Sequence, residues 1–171
     1  MNEDKSPKKQ RHSAGMGRQG EHPHGDMGQI IFLLVFLVIW ILDSFVFKFS
    51  IFLAPPIPFF LRAIVACLIL LIAIYLVRSG HRAVSDENLT SPRLLDDGAF
   101  ARVRHPLYLA ALLFYLFLII LTLSLISFFV FLGIFFFYNF IASYEENLLE
   151  KQYGQDFRDY KKNTPKWVPR F

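Results

Sequence analysis

Two short polar segments of this chain carry residue types that could do chemistry together. The first is basic: Arg102, Arg104 and His105, followed at once by Pro106-Leu107-Tyr108. Proline suits the first position of a helix, where its missing N–H costs nothing. The free N–H groups that follow it, aided by the helix dipole, favour an anion. The second segment is acidic: Glu145-Glu146, with Glu150 four residues on. Glu146 and Glu150 share a helical face, a repulsive spacing on a plain exposed helix. A small ligand bearing both signs would satisfy both segments. From residue types alone a second reading stays open, in which these charges simply stop two helices at a membrane interface.

Between the two segments lie 35 residues, Leu107 to Ile141, without a formal charge. As one helix they would extend about 50 Å, against a bilayer core of about 30 Å. The run is therefore expected to fold back as two transmembrane helices. The bend is expected among Thr122, Ser124 and Ser127, although no Gly or Pro marks it. A fold-back returns its two ends to one membrane face, so the Arg-His-Pro-x-Tyr segment should meet the glutamate pair.

The rest of the chain is organised around that hairpin. Of its 171 residues 54% are hydrophobic, including 20 Phe, and its charge of +4 lies outside the long apolar runs. Such runs make an integral membrane protein, not a soluble one with a large core. The basic residues read as topology and lipid contact, and nucleic-acid binding is excluded because no basic stripe interleaves with a soluble fold. Cys67 is expected as a small packing residue.

Residues 1–29 read as a disordered cytoplasmic tail. His22-Pro23-His24 has no further ligands nearby, and no metal site is assigned. The first span is expected from Ile30 to Phe52, as an anchor that stays, since it starts too far from Met1 for a removed signal peptide. Asp43 and Lys48 in its second half are expected to reach the far interface by snorkelling or to face a polar interior. Ala54-Pro55-Pro56-Ile57-Pro58 makes a rigid turn. The second span is expected from Phe59 to Val77, closed by Arg78. A polar connection over 79–105 follows, punctuated by Gly80, Ser91-Pro92 and Asp96-Asp97-Gly98, with room for an interfacial helix over Arg82–Leu89. After Glu145 the residues Leu149, Tyr153, Phe157 and Tyr160 recur at helical spacing. They predict an amphipathic C-terminal helix at the membrane surface, bent at Gly154, with Trp167 as an interface anchor. The Phe residues read as lipid contact and packing.

The fold expected is thus all-α, with four transmembrane helices, the last two a tight hairpin, plus the amphipathic C-terminal helix. Residues 30–171 form one membrane domain. The basic residues number five in 1–29, five in 78–105 and six after Glu145, with none in the 53–58 turn or the 122–127 bend. By the positive-inside rule both termini and the long connection are cytoplasmic.

Three motifs recur here in order. They are Gly98-Ala-Phe-Ala-Arg-Val-Arg-His105-Pro106-Leu-Tyr108, then Glu145-Glu146-Asn-Leu-Leu-Glu-Lys-Gln-Tyr153-Gly154-Gln-Asp-Phe157-Arg-Asp-Tyr160, then Thr-Pro165-Lys-Trp167-Val-Pro169. Over residues 94–169 the chain closely resembles the isoprenylcysteine carboxyl methyltransferase family, a wider group that includes phospholipid methyltransferases. Where that family often has Gly-Pro-Tyr, this chain has Gly98-Ala99-Phe100. The resemblance implies S-adenosylmethionine as cofactor, a molecule with a carboxylate, an ammonium and a sulfonium, lying between the cytoplasmic ends of the third and fourth helices. It implies His105, Pro106, Leu107, Tyr108, Glu145 and Glu146 as its binding residues, with Arg104 and Glu146 at the catalytic centre. Arg104, and after it Arg158, would attract an anionic group of the substrate. The acceptor implied is membrane-embedded or lipophilic and enters sideways from the bilayer: a prenylated cysteine carboxylate, a phospholipid amine or a small thiol. Two other readings remain beside it, an NADPH-dependent sterol-reductase-like enzyme and a non-catalytic membrane protein that keeps the fold.

Overall fold

In a computed structural model the described residues are 25–87, 94 and 96–169, so His22 and His24 lie outside them. They form five α-helices and no strand: α1 Gly25–Ile41, α2 Phe59–Glu87, α3 Pro106–Thr122, α4 Leu125–Tyr153 and α5 Gln155–Asn163. A π-helical turn, Leu42–Phe47, extends α1. Three stretches are long and apolar enough to cross a membrane, Met27–Phe47, Phe59–Ala83 and Leu125–Tyr153. The helix Pro106–Thr122 is equally apolar but has only 17 residues.

The bend falls where three hydroxyls were expected to make it. Leu123 takes a left-handed conformation (φ 54°) and its N–H closes α3 on the Ile119 carbonyl. Ser124 then caps α4, its hydroxyl accepting from the Ser127 N–H at 3.0 Å, which satisfies one of the donors left over at a helix start. The turn is tight, yet the most extensive packing in the bundle is between α2 and α3, while α1 leans on α4. The reason lies in α2. Ala66, Ala73 and Gly80 recur every seventh residue, interleaved with Leu76 and Ala83, and all five are buried. A seven-residue repeat keeps one seam of a helix facing its partner. Small residues on that seam let two backbones approach closely inside a membrane. At Gly80 an added Cβ would lie 2.8 Å from Leu107 Cδ2. Gly80 is therefore no loop punctuation but the closest approach of α2 to the start of α3. Accordingly α2 does not stop at Val77: it continues through Arg78 and Arg82 to Glu87, in place of a separate interfacial helix.

The first helix also departs from expectation. It begins at Gly25, inside the segment read as a tail, and its regular turns end at Phe47, not Phe52. Asp43 is buried and does not snorkel, while Lys48 is exposed. The Asp43 carboxylate accepts from the Ser50 N–H at 3.1 Å, from the Ser50 hydroxyl, and from the Ser124 hydroxyl at 2.6 Å. Ser50 in turn accepts from the Ile126 N–H at 3.0 Å through its hydroxyl and from the Leu125 N–H at 3.3 Å through its carbonyl. Trp40 Nε1 donates to the Leu118 carbonyl and to Thr122 Oγ1, and Arg62 Nη1 donates to the Leu121 carbonyl at 2.7 Å. These bonds tie α1, α2 and the α3–α4 turn together at one end of the bundle.

Phe36, Leu112, Tyr115, Leu118, Ile119, Ile134 and Tyr138 fill the core between α1, α3 and α4. Phe129, Phe136 and Phe140 face outwards, as suits lipid contact. Cys67 is exposed on α2 and not a packing residue.

Candidate functional site

At the other end of the bundle α3 starts and α4 overshoots it. The turn preceding α3 is built from Phe100 N–H to Asp97 and Val103 N–H to Ala99 backbone bonds, with Ala99 and Val103 fully buried. That turn delivers Arg104 and His105 to the side of α4 where Glu145 and Glu146 emerge. The two segments, 41 residues apart in the chain, are in direct contact.

His105 Nε2 lies 3.1 Å from Glu146 Oε1, and Arg104 Nε lies 3.2 Å from the same oxygen. The side chains of Arg104, His105, Glu145 and Glu146 are only 11%, 7%, 14% and 7% exposed, so these charges are held out of water. A carboxylate can only accept, so the His105–Glu146 bond requires the proton on Nε2. Burial holds the His105 pKa below its ordinary value, against the pull of Glu146, with Lys166 and Arg104 pushing in the same direction as burial. The ring is accordingly neutral near pH 7, and its Nδ1 presents a lone pair to Glu145 Oε2 across 3.7 Å. Two acceptors thus flank one gap. Glu145 Oε1 is fixed by the Tyr108 hydroxyl, and the Tyr108 ring lies parallel to His105 with centroids 5.7 Å apart.

Arg104 has the complementary defect. Its Nε is near Glu146, but the N–H is not aimed at the carboxylate and, among the described residues, is a buried donor with no hydrogen-bond partner. Proximity satisfies the charge; it does not satisfy the proton. The site therefore holds a donor unpaired among the described residues on one side and a neutral imidazole beside a carboxylate on the other.

The C-terminal segment roofs the site. Gly154, at φ +58°, breaks α4 as expected and turns α5 back. The apolar side of α5 points into the protein, not along a membrane surface: Phe157 is buried, and the Tyr160 hydroxyl donates to the Phe100 carbonyl at 2.7 Å. Beyond α5 the Arg104 N–H donates to the Pro165 carbonyl at 3.0 Å. Lys161 lies 3.5 Å from Glu146 Oε2 and 3.8 Å from Glu150 Oε2, so it bridges the two glutamates that looked mutually repulsive. Lys166 donates to Ser143 Oγ at 2.7 Å and to the Asn139 carbonyl at 3.1 Å. Its pKa is lowered by burial, against the pull of Glu146 and with the help of Arg104 and Lys161. Trp167 is no outward anchor: its Nε1 donates to Asn139 Oδ1 at 3.1 Å and its ring approaches His105 at 5.9 Å.

Of the residues picked out in the sequence, Arg104, His105, Tyr108, Glu145 and Glu146 converge. Pro106 is buried at the first position of α3, and Leu107 faces Gly80 of α2, away from the carboxylates. Arg158 stands apart, half-exposed on α5 and 3.7 Å from Glu150. Lys161, Lys166 and Trp167 were missed as site members. Their spacing marks them as a solvated or interfacial face, and nothing local reveals that the segment folds back over α4.

A family model described as phospholipid methyltransferase matches residues 61–156, more than half of the chain. It spans α2, α3 and α4 and stops short of the Lys161–Trp167 roof. No curated protein and no solved structure matches significantly.

Proposed function

The chain belongs to the phospholipid methyltransferase family, and from that premise we propose that it is an S-adenosylmethionine-dependent methyltransferase acting on a lipophilic acceptor in the membrane. The observation that carries this reading is the buried contact of Arg104–His105 with Glu145–Glu146 under a C-terminal roof. The contact holds both signs of charge and, among the described residues, leaves the Arg104 Nε–H without a hydrogen-bond partner.

The cofactor fits what is left open. Its ammonium would donate to His105 Nδ1 and lie beside the Glu145 carboxylate, which stand 3.7 Å apart. Its carboxylate supplies an acceptor for the Arg104 guanidinium. When bound, it supplies an electrophilic methyl group on a positively charged sulfur. The chain's own residues bind and orient it and keep water out. Tyr108 fixes Glu145, Lys161 and Arg104 hold Glu146 charged, and Trp167 closes the His105 side. A low-dielectric pocket favours a transfer in which charge is lost. Holding two reactants in line contributes on the order of 7–11 kcal/mol. The charge of Arg104 would also help to draw an anionic acceptor towards the bound cofactor.

We read the membrane arrangement as four spans. From Ser124 to Glu146 α4 rises about 33 Å, close to the ~30 Å of a hydrocarbon core. The Asp43 network and the site thus stand at opposite faces. The helix α3 is shorter only because it starts level with the site, where α4 continues beyond it, and its 17 residues lie at the lower limit of a span, about 17–25. By the positive-inside rule the basic loops support a cytoplasmic site and cytoplasmic termini.

Membranes containing the chain, incubated with methyl-labelled S-adenosylmethionine, should yield a labelled lipid-soluble product. Glu146→Gln and His105→Ala should abolish it at unchanged expression. Labelling unaffected in both variants rules this site out.

A further inference from the structure

An apolar cleft of about 590 Å³ lies between α1 and α2, with α3 as its floor. Because α1 leans on α4 and α2 on α3, the first two helices stand apart and leave this cleft between them. Its walls are Leu33, Leu70, Ile74, Ala111, Tyr115 and Tyr138, and Gln29, Arg78 and His81 stand at one end. The mechanism of the site uses none of these three polar residues. Arg78 and His81 are exposed, and among the described residues no hydrogen bond or ion pair engages either side chain.

Three features decide what would lie there. From Leu70 to His81 the cleft follows α2 for roughly 16 Å, about half of a ~30 Å bilayer core. That is the depth of one leaflet. Its volume is that of a single elongated apolar ligand. Its basic end is level with the candidate site, because Gly80, between Arg78 and His81, is the residue packed on Leu107 and Pro106. The cleft also adjoins the candidate site: Tyr138 lines the cleft, and its ring meets Tyr108 edge-on at 5.4 Å.

We propose that this cleft binds one chain of an anionic lipid, its carboxylate or phosphate held by Arg78 and His81. Resting on the function proposed above, that lipid is the methyl acceptor. An ammonium headgroup would meet like charge there. Arginine, always charged and forked, suits either anion.

Photoaffinity labelling tests this without any methyl transfer. The full chain in phosphatidylcholine nanodiscs is exposed to three C16 probes with a diazirine near the methyl end: a fatty acid, an alkyl phosphate and a fatty alcohol. Crosslinks to Leu33, Leu70 or Ile74 are expected from at least one anionic probe, and the better of the two names the anionic group. Arg78→Gln with His81→Gln should lower that capture by about tenfold, the value of one charge-assisted bond, and leave weak alcohol labelling unchanged. Ile74→Trp should reduce cleft labelling by the anionic probe. Labels spread equally over the outward residues Leu34 and Leu71 would overturn the proposal. So would alcohol captured as well as acid and insensitive to the double substitution. Calorimetry with S-adenosylmethionine on the same samples separates the two readings. Cleft labelling without cofactor binding sinks the methyltransferase reading alone, and cofactor binding without cleft labelling sinks only this inference.

Discussion

Each end of the bundle holds a buried carboxylate, and the two are satisfied in opposite ways. Among the described residues Asp43 is bound by neutral donors, chiefly the Ser50 N–H and the hydroxyls of Ser50 and Ser124. Every one of them belongs to a turn that the carboxylate helps to shape. Glu146 is surrounded by Arg104, His105 and Lys161, three groups from two segments, and the Arg104 Nε keeps an unaligned proton. The first arrangement is complete without a ligand and works as a lock. The second has more charge than it has well-made bonds, and can exchange contacts with a ligand at little cost. Buried charge alone does not mark a site; what marks this one is the surplus.

The comparison is broken most sharply at the two carboxylates. Glu146→Gln keeps the shape but removes the charge that Arg104 and Lys161 face. It should weaken S-adenosylmethionine binding by about 30- to 100-fold, equivalent to about 2–3 kcal/mol for bonds to a charged group, measured by calorimetry. Asp43→Ala should do the reverse. It leaves buried hydroxyls without an acceptor and should lower stability by about 1–3 kcal/mol, read from thermal unfolding in detergent, with cofactor affinity unchanged. If Asp43→Ala costs binding and Glu146→Gln costs only stability, the contrast is inverted and the site is misplaced.

His105 gives a pH-dependent version of the same contrast. Its folded pKa is depressed, chiefly by burial, so between that value and the ordinary 6.5 the unfolded chain binds more protons than the folded one. Stability is therefore greatest above about pH 6.5 and falls as the pH drops through the folded pKa. Protonation also places a donor on Nδ1, facing Glu145, where the cofactor ammonium is proposed to sit. Cofactor affinity should hold through that window and fall only as the pH drops to the folded pKa and below it, by no more than about tenfold per pH unit for one proton. A titration from pH 8 to 5 checks both, and His105→Gln, which keeps a donor but cannot titrate there, should flatten both curves.

How much of this is visible in the residues follows from how local each signal is. A charge-free run too long for one span, three hydroxyls at its middle and Gly154 at its end are local facts. They located the hairpin, its bend and the break before α5. The meeting of His105 with the glutamates followed from the fold-back alone. The Asp43 lock did not, because its decisive partner Ser124 is 81 residues away and an acid near a helix end looks like one that snorkels. The repeat Ala66-Ala73-Gly80 was present in the sequence but was masked by reading Gly80 as a loop residue. The roof was hidden because Lys161, Lys166 and Trp167 have their partners on another helix, where no periodicity can reveal them.

Arg158 supplies the finest test. Beside Arg104 it carries the same charge and the same resemblance to family motifs, so residue type cannot separate them. Position does. The Arg104 side chain is 11% exposed and keeps an unaligned Nε–H beside Glu146, whereas Arg158 is 51% exposed, donates to Gln155 Oε1 at 3.1 Å and lies 3.7 Å from Glu150, itself 34% exposed. An ion pair so open to water is worth less than about 1 kcal/mol. Arg158→Gln should therefore change cofactor affinity and methyl transfer by less than about twofold. Arg104→Gln, tested in parallel in the labelling assay, should reduce transfer by at least tenfold, since it removes the buried charge opposite Glu146. Equal losses in the two variants would mean that α5 swings inward during the reaction, and that the segment seen as a roof takes part in gripping the acceptor.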